Sequence, residues 1–218
     1  AEIKVVPLRN STMGGDTGPA AWVTSTTVTQ GTADYGYNST GGNPAPSYYH
    51  KATSSTAKAA DITFFTNQSF NYSFGTPASV ILSWDYEIFG NSIAATGNQI
   101  NITLFKPDGT SVILDTITFT SAASWTRRTL NVGTGNFTQS GTYVIQLRSR
   151  LVAAAKGTSN YLQAQFDNVF LNFTLYTLGV EHNATISYLG TLNSISVLIN
   201  FTSTTNNVYN MTIYDFYN

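Results

Sequence analysis

Apolar and polar residues alternate with a period of two along most of the chain, and helical spacing is almost absent. This period places successive side chains on opposite faces of an extended segment, so it is typical of half-buried strands. In the segment 100–104, Ile100, Ile102 and Leu104 alternate with polar residues, and the sequence Lys-Pro-Asp-Gly at 106–109 separates this segment from an apolar run at 112–114. Proline at the second turn position and glycine at the last favour a tight reversal, so this segment predicts a β-hairpin.

The same alternation predicts further strands, which share turn residues at their ends and lie near 22–29, 61–74, 78–89, 111–119, 125–132, 141–151, 161–176, 184–189, 194–202 and 208–217. About ten strands of this kind indicate an all-β fold, an antiparallel β-sandwich or jelly roll. In the strand near 141–151, Tyr143, Ile145 and Leu147 are expected to face inward. Arg148 and Arg150 then fall on the solvated face.

One long stretch, 31–60, is rich in Gly, Ser, Thr, Ala and Pro, and its core at 41–46 reads Gly-Gly-Asn-Pro-Ala-Pro. This composition predicts a long loop. Residues 1–19 are expected to form an extended N-terminal strand tail with its linker, and residues 20–218 a β-sandwich head. The last forty residues are too few to be stable alone, so we expect them to complete the sandwich.

Ionisable groups are scarce. Charged residues make up 10% of the chain and the net charge is -1, against roughly 25% charged residues in an average soluble protein. No Lys/Arg cluster exceeds the pair Arg127 and Arg128, so a nucleic-acid partner is not expected. The absence of cysteine excludes disulfides and thiolate chemistry. Because the chain begins at Ala1 and has no apolar run near the ~18 residues of a membrane span, we expect a processed, extracellular cell-surface protein.

Ten Asn-X-Ser/Thr sequons occur, at Asn10, Asn38, Asn67, Asn71, Asn101, Asn136, Asn172, Asn183, Asn200 and Asn210. Chance alone would give about five, so the excess is about twofold. Six of them, beginning with Asn71, fall on the polar phase of a predicted strand, where a glycan would stand off the sheet. We therefore expect N-linked glycans, and we expect no other cofactor.

Few residues suggest chemistry. His50 and His182 lie in no metal-spaced pair, and each is expected on a loop or at the surface. Asp85 and Glu87 share one strand face, which could hold calcium or a sugar hydroxyl, although an exposed acidic pair is the preferred interpretation. No phosphate loop or nucleophile elbow occurs. We thus expect no enzyme, with no catalytic, cofactor-binding or metal-binding residue.

Aromatic residues leave a second interpretation open. Trp22, Trp84 and Trp125, together with thirteen tyrosines, could form a sugar-stacking platform, although a place in the core is preferred. The segment Phe-Asp-Asn-Val-Phe-Leu at 166–171 resembles the closing strand of carbohydrate-binding jelly rolls. This likeness supports the fold class more than it supports sugar binding.

The first nine residues alternate apolar Ile3 and Val5 with polar Glu2 and Lys4, and a Gly-rich connector follows at 11–19. Such a strand can fold into its own sheet, or it can add to the open edge of a neighbouring copy. Repeated head to tail, the second contact generates an open filament. Pro7 removes one ladder donor from the strand. A rival donor is the C-terminal strand, which lacks a comparable connector and carries Tyr209, Met211 and Ile213 on one phase.

This layout of short apolar tail, Gly-rich connector, cysteine-free β head and many sequons resembles the subunits of archaeal thread filaments. The resemblance implies glycosylated pilins joined by donor-strand complementation, which support adhesion or biofilm formation. Ile3, Val5, Val6 and Leu8 would be the donor residues, and the partners would be other copies of the chain. The alternative is a secreted carbohydrate-binding jelly-roll module or a monomeric cell-surface adhesin.

Overall fold

The computed structural model describes residues 2–5, 8, 22–54, 58–155 and 160–176. This part of the chain forms eleven strands and one short 3-10 helix at Thr134–Asn136. The strands are β1 (Glu2–Val5), β2 (Val23–Gln30), β3 (Thr32–Asn38), β4 (Ser47–Thr53), β5 (Ala60–Tyr72), β6 (Ser79–Gly90), β7 (Gln99–Phe105), β8 (Ser111–Thr118), β9 (Ala123–Asn131), β10 (Gly141–Ala153) and β11 (Tyr161–Tyr176).

Two antiparallel sheets pack face to face. The first, sheet A, has the order β3-β4-β11-β6-β9, with β1 also paired to β11. The second, sheet B, has the order β2-β5-β10-β7-β8. The predicted all-β, antiparallel β-sandwich of jelly-roll type is thereby confirmed, and the predicted hairpin at 100–114 is the β7–β8 pair.

The core lies between the sheets because the central strands alternate strictly. Along β5 and β10, nearly every second residue is buried and its neighbours are not. Trp84 and Phe166 of sheet A and Ile62 and Leu147 of sheet B belong to this layer, and all four are fully buried. Each such side chain contributes roughly 1.5–3 kcal/mol through removal of its apolar surface from water.

An aromatic cluster closes one end of the sandwich. The ring centroids of Phe137 and Phe173 lie 4.8 Å apart, and those of Tyr72 and Phe173 lie 4.9 Å apart. Phe137 reaches the cluster because it directly follows the 3-10 helix. The Tyr72 hydroxyl donates to the Gly75 carbonyl at 2.7 Å, and burial raises the pKa of Tyr72 to about 12.

The prediction of a long loop over 31–60 is wrong, because β3 and β4 occupy about half of it. Three inward-facing residues of β4, Tyr48, His50 and Ala52, alternate with half-buried ones. Small and hydroxyl-bearing residues around them lowered the hydrophobic signal that would have revealed the strands. The Gly- and Pro-containing core at 41–46 does lie between β3 and β4.

The expectation that His50 lies on a loop or at the surface is also wrong. His50 is fully buried on β4 and stacks on Phe64 with ring centroids 4.7 Å apart. Its Nε2 is hydrogen-bonded to the Thr66 hydroxyl at 2.6 Å, and its Nδ1 to the Ser149 hydroxyl at 2.8 Å. Burial lowers the pKa of His50 to about 3, so the imidazole is neutral. His182 lies outside the described residues.

The N-terminal strand pairs within the chain. β1 runs antiparallel to β11, with Val5 opposite Phe173, whereas β4 pairs with the other half of β11, from Tyr161 to Phe166. β1 therefore extends sheet A beyond the end of β4, and Leu8 is buried at 6% exposure. The other parts of the tail prediction, and the C-terminal strands, lie outside the described residues: Val6, Pro7, the connector at 11–19, and the segment 177–218 with Tyr209, Met211 and Ile213.

Candidate functional site

The outer surface of sheet B carries a mostly polar face. Strand register places its outward side chains in three cross-strand rows, each running from β2 through β5, β10 and β7 to β8. The middle row is Ser25, Phe65, Arg148, Asn101 and Thr116. The flanking rows are Val23, Asn67, Gln146, Thr103 and Ile113, and Thr27, Thr63, Arg150, Gln99 and Thr118. We call these fifteen residues the sheet B face.

Arg148 lies at the centre of this face. Its guanidinium carbon sits over the Phe65 ring, 6.0 Å from the centroid. One nitrogen, Nη1, donates to Gln99 Oε1 at 3.4 Å. The Asn101 amide is best satisfied with its oxygen towards Arg148, where it accepts from Nη1 at 3.2 Å while its nitrogen donates to the Ile100 carbonyl at 3.0 Å. These contacts hold the guanidinium in place on the sheet.

Hydrogen bonds also fix side chains of the two flanking rows. Gln146 Nε2 donates to Asn67 Oδ1 at 2.9 Å. Arg150 donates to both carboxylate oxygens of Asp61, at 2.9 and 2.7 Å. These hydrogen bonds lower the pKa of Asp61, so it is ionised at neutral pH. The face is thus an array of preoriented amides, hydroxyls and guanidinium groups around one aromatic ring.

An open cleft of about 740 Å³ adjoins the face at the ends of β7 and β8. Gln99, Arg148 and Arg150 of the face line one side of it. Tyr86 and Ile88 of sheet A and the loops at 95–98 and 119–122 also line it. The cleft therefore continues the polar face around the side of the sandwich.

Sheet A carries a polar cluster of a different kind. Asp85 is fully buried, and Arg127 holds it with Nε at 2.6 Å and Nη2 at 2.8 Å. Asn168, which has a positive φ of 51°, also donates to Asp85, at 2.9 Å. The backbone N–H of Asn43 donates to Asp167 at 2.7 Å. The cluster thereby anchors the 39–46 loop to β6 and β11.

The preferred interpretation of Asp85 and Glu87 as an exposed acidic pair is wrong, because Asp85 is inaccessible to solvent. Burial raises the pKa of Asp167, and the nearby carboxylate of Asp85 acts in the same direction. Over the ranges that the structure describes, no group of three or more His, Cys, Asp or Glu side chains is placed to hold a metal ion. The arrangement joins a loop to a sheet, and Arg127 supplies the positive charge beside Asp85.

Of the three tryptophans, Trp22 and Trp84 are buried, so these two belong to the core. Trp84 Nε1 donates to Asp115 Oδ2 at 3.0 Å. Asp115 also accepts two hydrogen bonds from Arg128, which tie the edge strand β8 of sheet B to the edge strand β9 of sheet A. Trp125 is half-buried on β9. A sugar-stacking platform built from all three indoles is therefore not what the fold assembles.

The sequons differ widely in exposure. Asn71 is exposed on β5, whereas Asn101 is buried at 6% exposure on the sheet B face. Asn136 is half-buried, and its Nδ2 donates to the Val132 carbonyl at 2.6 Å. Half-buried positions are also found for Asn38, Asn67 and Asn172. Four sequons lie outside the described residues, at Asn10, Asn183, Asn200 and Asn210.

Sequence reasoning correctly placed Arg148 and Arg150 on the outer side of β10, but it treated them as ordinary solvated charges. The missing information was strand order, since Phe65 and Asn101 flank Arg148 only through cross-strand register. One usable signal was present: Gln146, Arg148 and Arg150, all polar with long side chains, occupy three successive outward positions of the strand predicted near 141–151.

No protein-family model matches the chain, and no curated protein is detectably similar to it in sequence. Among solved structures, a family 61 carbohydrate-binding module in complex with β-1,4-galactotriose is 13% identical, with 77% of this chain and 97% of that chain covered and a TM-score of 0.44. The enzymatically active domain of tailspike protein 4 from bacteriophage CBA120 is 12% identical over 77% of this chain and 21% of that chain, with a TM-score of 0.47.

The C-terminal family 22 carbohydrate-binding module of Clostridium thermocellum Xyn10B is 10% identical, covers 80% of this chain and 95% of that chain, and has a TM-score of 0.39. These likenesses concern the fold. Within the described ranges, the structure contains no helix with the length and apolarity of a membrane span.

Proposed function

We propose that this chain is a non-catalytic carbohydrate-binding β-sandwich that holds glycans on the sheet B face. The observation that carries the proposal is the middle row, where Arg148 lies between Phe65 and Asn101. Sugar hydroxyls need paired donors and acceptors, which amides and guanidinium groups supply in fixed geometry. An aromatic ring adds flat apolar area for the C–H face of a pyranose.

Preorganisation favours this face over the outer side of sheet A. Gln146, Asn67 and Gln99 are held by hydrogen bonds within the face, so little side-chain entropy is lost when a ligand binds. On sheet A, the polar groups near Asp85 are already hydrogen-bonded to the 39–46 loop and to one another. Asp85, for example, already accepts hydrogen bonds from Asn43 and Asn168.

A glycan array followed by isothermal titration calorimetry tests the proposal. Phe65→Ala is expected to weaken binding about tenfold, as loss of a central aromatic contact does at binding sites. Lys51→Ala is the matched control, because Lys51 packs over the Tyr161 ring on the outer side of sheet A. Retained binding in Phe65→Ala together with loss in Lys51→Ala would place the site on the other sheet. A chain that binds no glycan on the array would overturn the proposal.

A second candidate function is that of a filament subunit joined head to tail by strand exchange. It is favoured by the position of β1, which pairs only with β11 among the described strands and completes a sheet edge that β4 leaves uncovered. A strand from a neighbouring copy would satisfy the same ladder, at little energetic cost because the contacts are identical. Glycan binding by the head would then serve adhesion.

Deletion of residues 1–9 tests this second candidate. The truncated chain is expected to lose polymerisation and to recover a stable fold when a peptide of residues 1–9 is added. Sedimentation and electron microscopy report assembly, and thermal unfolding reports the fold. A full-length chain that stays monomeric at high concentration would exclude the filament and would leave the glycan-binding proposal untouched.

A further inference from the structure

The sheet B face has an unbalanced charge. Among the outward positions of its strands, the described residues include two guanidinium groups, Arg148 and Arg150, and one carboxylate, Asp61. Arg150 and Asp61 neutralise each other through a bidentate pair. The positive charge of Arg148 is therefore not neutralised by another group on the face, and it can interact with a bound ligand.

Arg148 stands apart from the other arginines of the described ranges. Arg127, Arg128 and Arg150 each hold an aspartate within 2.7 Å. Within the same ranges, no carboxylate lies within the 4.0 Å that defines an ion pair with Arg148, whose partners are the neutral amides of Gln99 and Asn101. A guanidinium carries five N–H donors, and the contacts described engage one nitrogen. Nε and Nη2 thus keep donor capacity for an incoming group.

We propose that the glycan bound on the sheet B face is acidic and that Arg148 recognises the carboxylate of a uronic acid unit. This inference rests on the proposed function and names its ligand class. Arginine pairs with carboxylates through two parallel hydrogen bonds, which give both affinity and orientation. Phe65 lies against the guanidinium, so the sugar ring that carries the carboxylate is positioned beside an apolar surface.

Burial strengthens this recognition. Arg148 is half-buried between Phe65 and Asn101, so an ion pair formed there is less screened by solvent than one at an exposed lysine. Arg148 also lines the 740 Å³ cleft, so a polymer can continue from the face into the cleft beside Gln99. A chain of uronate units, rather than one terminal residue, fits this path.

Titration calorimetry with two matched probes tests the inference: oligogalacturonate and its fully methyl-esterified form, each with the full chain. The acidic form is expected to bind at least about tenfold more tightly. Arg148→Gln should abolish this difference in affinity between the two probes. Arg148→Lys should keep part of it, because lysine retains the charge without the bidentate geometry. Lys51→Gln is the control, because it removes one positive charge on the outer side of sheet A, where Lys51 lies over the Tyr161 ring. It should keep the difference in affinity between the two probes.

The outcomes separate the two proposals. Equal affinity for both probes would overturn the acidic ligand and leave the glycan-binding function standing, whereas binding of neither probe nor of any array glycan would overturn both. A difference in affinity that survives Arg148→Gln in a variant with unchanged thermal unfolding would overturn the role of Arg148. Polyglutamate is the remaining probe, and binding as tight as that of oligogalacturonate would show general charge attraction and overturn the inference.

Discussion

Nε2 of His50 lies 2.6 Å from the hydroxyl of Thr66, inside the interface between the two sheets. Thr66 is hydrogen-bonded to the Thr24 hydroxyl at 2.7 Å, and Thr24 to the Tyr48 hydroxyl at 2.8 Å. With the 2.8 Å bond from Nδ1 to Ser149, a chain of side chains links β4 of sheet A to β2, β5 and β10 of sheet B. Both imidazole nitrogens have partners, which is why a neutral histidine is stable in this core.

This burial predicts a stability that falls in mild acid. In the unfolded chain His50 takes up a proton near its ordinary pKa of 6.5, whereas in the fold it resists protonation down to about 3. The unfolded state binds more protons between these values, so stability is complete above 6.5 and declines as the pH falls towards 3. At roughly 1.4 kcal/mol per pKa unit, the loss approaches 5 kcal/mol. Urea unfolding across this range measures it.

His50→Gln is expected to flatten that pH dependence, since the amide can still bond to Thr66 and Ser149 but does not titrate. His182→Gln is the matched control, because it removes the other histidine of the chain. A slope that persists in His50→Gln and disappears in His182→Gln would contradict the assignment.

The ion pair of Asp85 and Arg127 predicts that removing the cation alone destabilises the protein more than removing both charges. Arg127→Gln leaves a fully buried carboxylate without its cation, so we expect a loss of about 1–3 kcal/mol of unfolding free energy. The value stays below that of a fully buried pair because the Arg127 side chain is 54% exposed. Adding Asp85→Asn should recover part of the loss, since the buried charge is then removed.

A surface pair provides the comparison. Arg150→Gln breaks a bidentate contact whose partners, Arg150 and Asp61, are both partly exposed, with side-chain exposures of 43% and 27%. The expected cost is below about 1 kcal/mol. Chemical denaturation of the two variants side by side measures the difference, and equal losses would mean that the burial of Asp85 has no energetic consequence.

Glycan occupancy is predicted to follow exposure. Asn71 is exposed, so the folded protein is expected to carry a glycan there. Asn101 is buried and its amide is engaged on the sheet B face, so a glycan at that position would break contacts with Arg148. Glycopeptide mass spectrometry of the native protein reports both sites. A fully occupied Asn101 would be incompatible with the arrangement of the face.

The contact between Arg128 and Asp115 predicts a second pH effect, at lower pH. Burial alone would raise the pKa of Asp115, but hydrogen bonds from Arg128 and Trp84 outweigh it and the net shift is downward from 3.8. This stability is present above 3.8 and is lost as the pH falls through the folded pKa. Arg128→Gln should therefore destabilise the protein at neutral pH, and the gap to the unsubstituted chain should close in strong acid. A gap that stays constant with pH would exclude the ionic contribution.

Much of the fold was predictable from local pattern. The strands β5 and β10 each alternate over thirteen residues, so their existence and inward faces follow from a period of two. By contrast, β3 and β4 are seven residues long and rich in small or hydroxyl-bearing residues. The burial of β4 depends on its partner strand β11, which sequence pattern does not reveal.

The site was less predictable, because it is made of neighbours distant in the chain. Alternation alone put Arg148 on an outer face and Asp85 on another. Cross-strand register places Arg148 beside neutral amides and an aromatic ring. It places Asp85 beside Arg127, and Asp85 is buried from solvent. Two residues with the same predicted exposure thus differ in the structure: Arg148 is half-buried on an outer face, whereas Asp85 is fully buried in an ion pair.

The sequence by itself determined the class of structure: period-two alternation, turn residues and the lack of cysteine leave a β-sandwich whose stability depends on packing. Tertiary structure decided which polar side chains are buried and which charges are paired. His50 shows the reason, since nothing near it in the chain supplies Thr66 or Ser149. These partners come from strands brought together by the packing of two sheets, and the free energy of a polar side chain depends on such neighbours more than on its own position in the sequence.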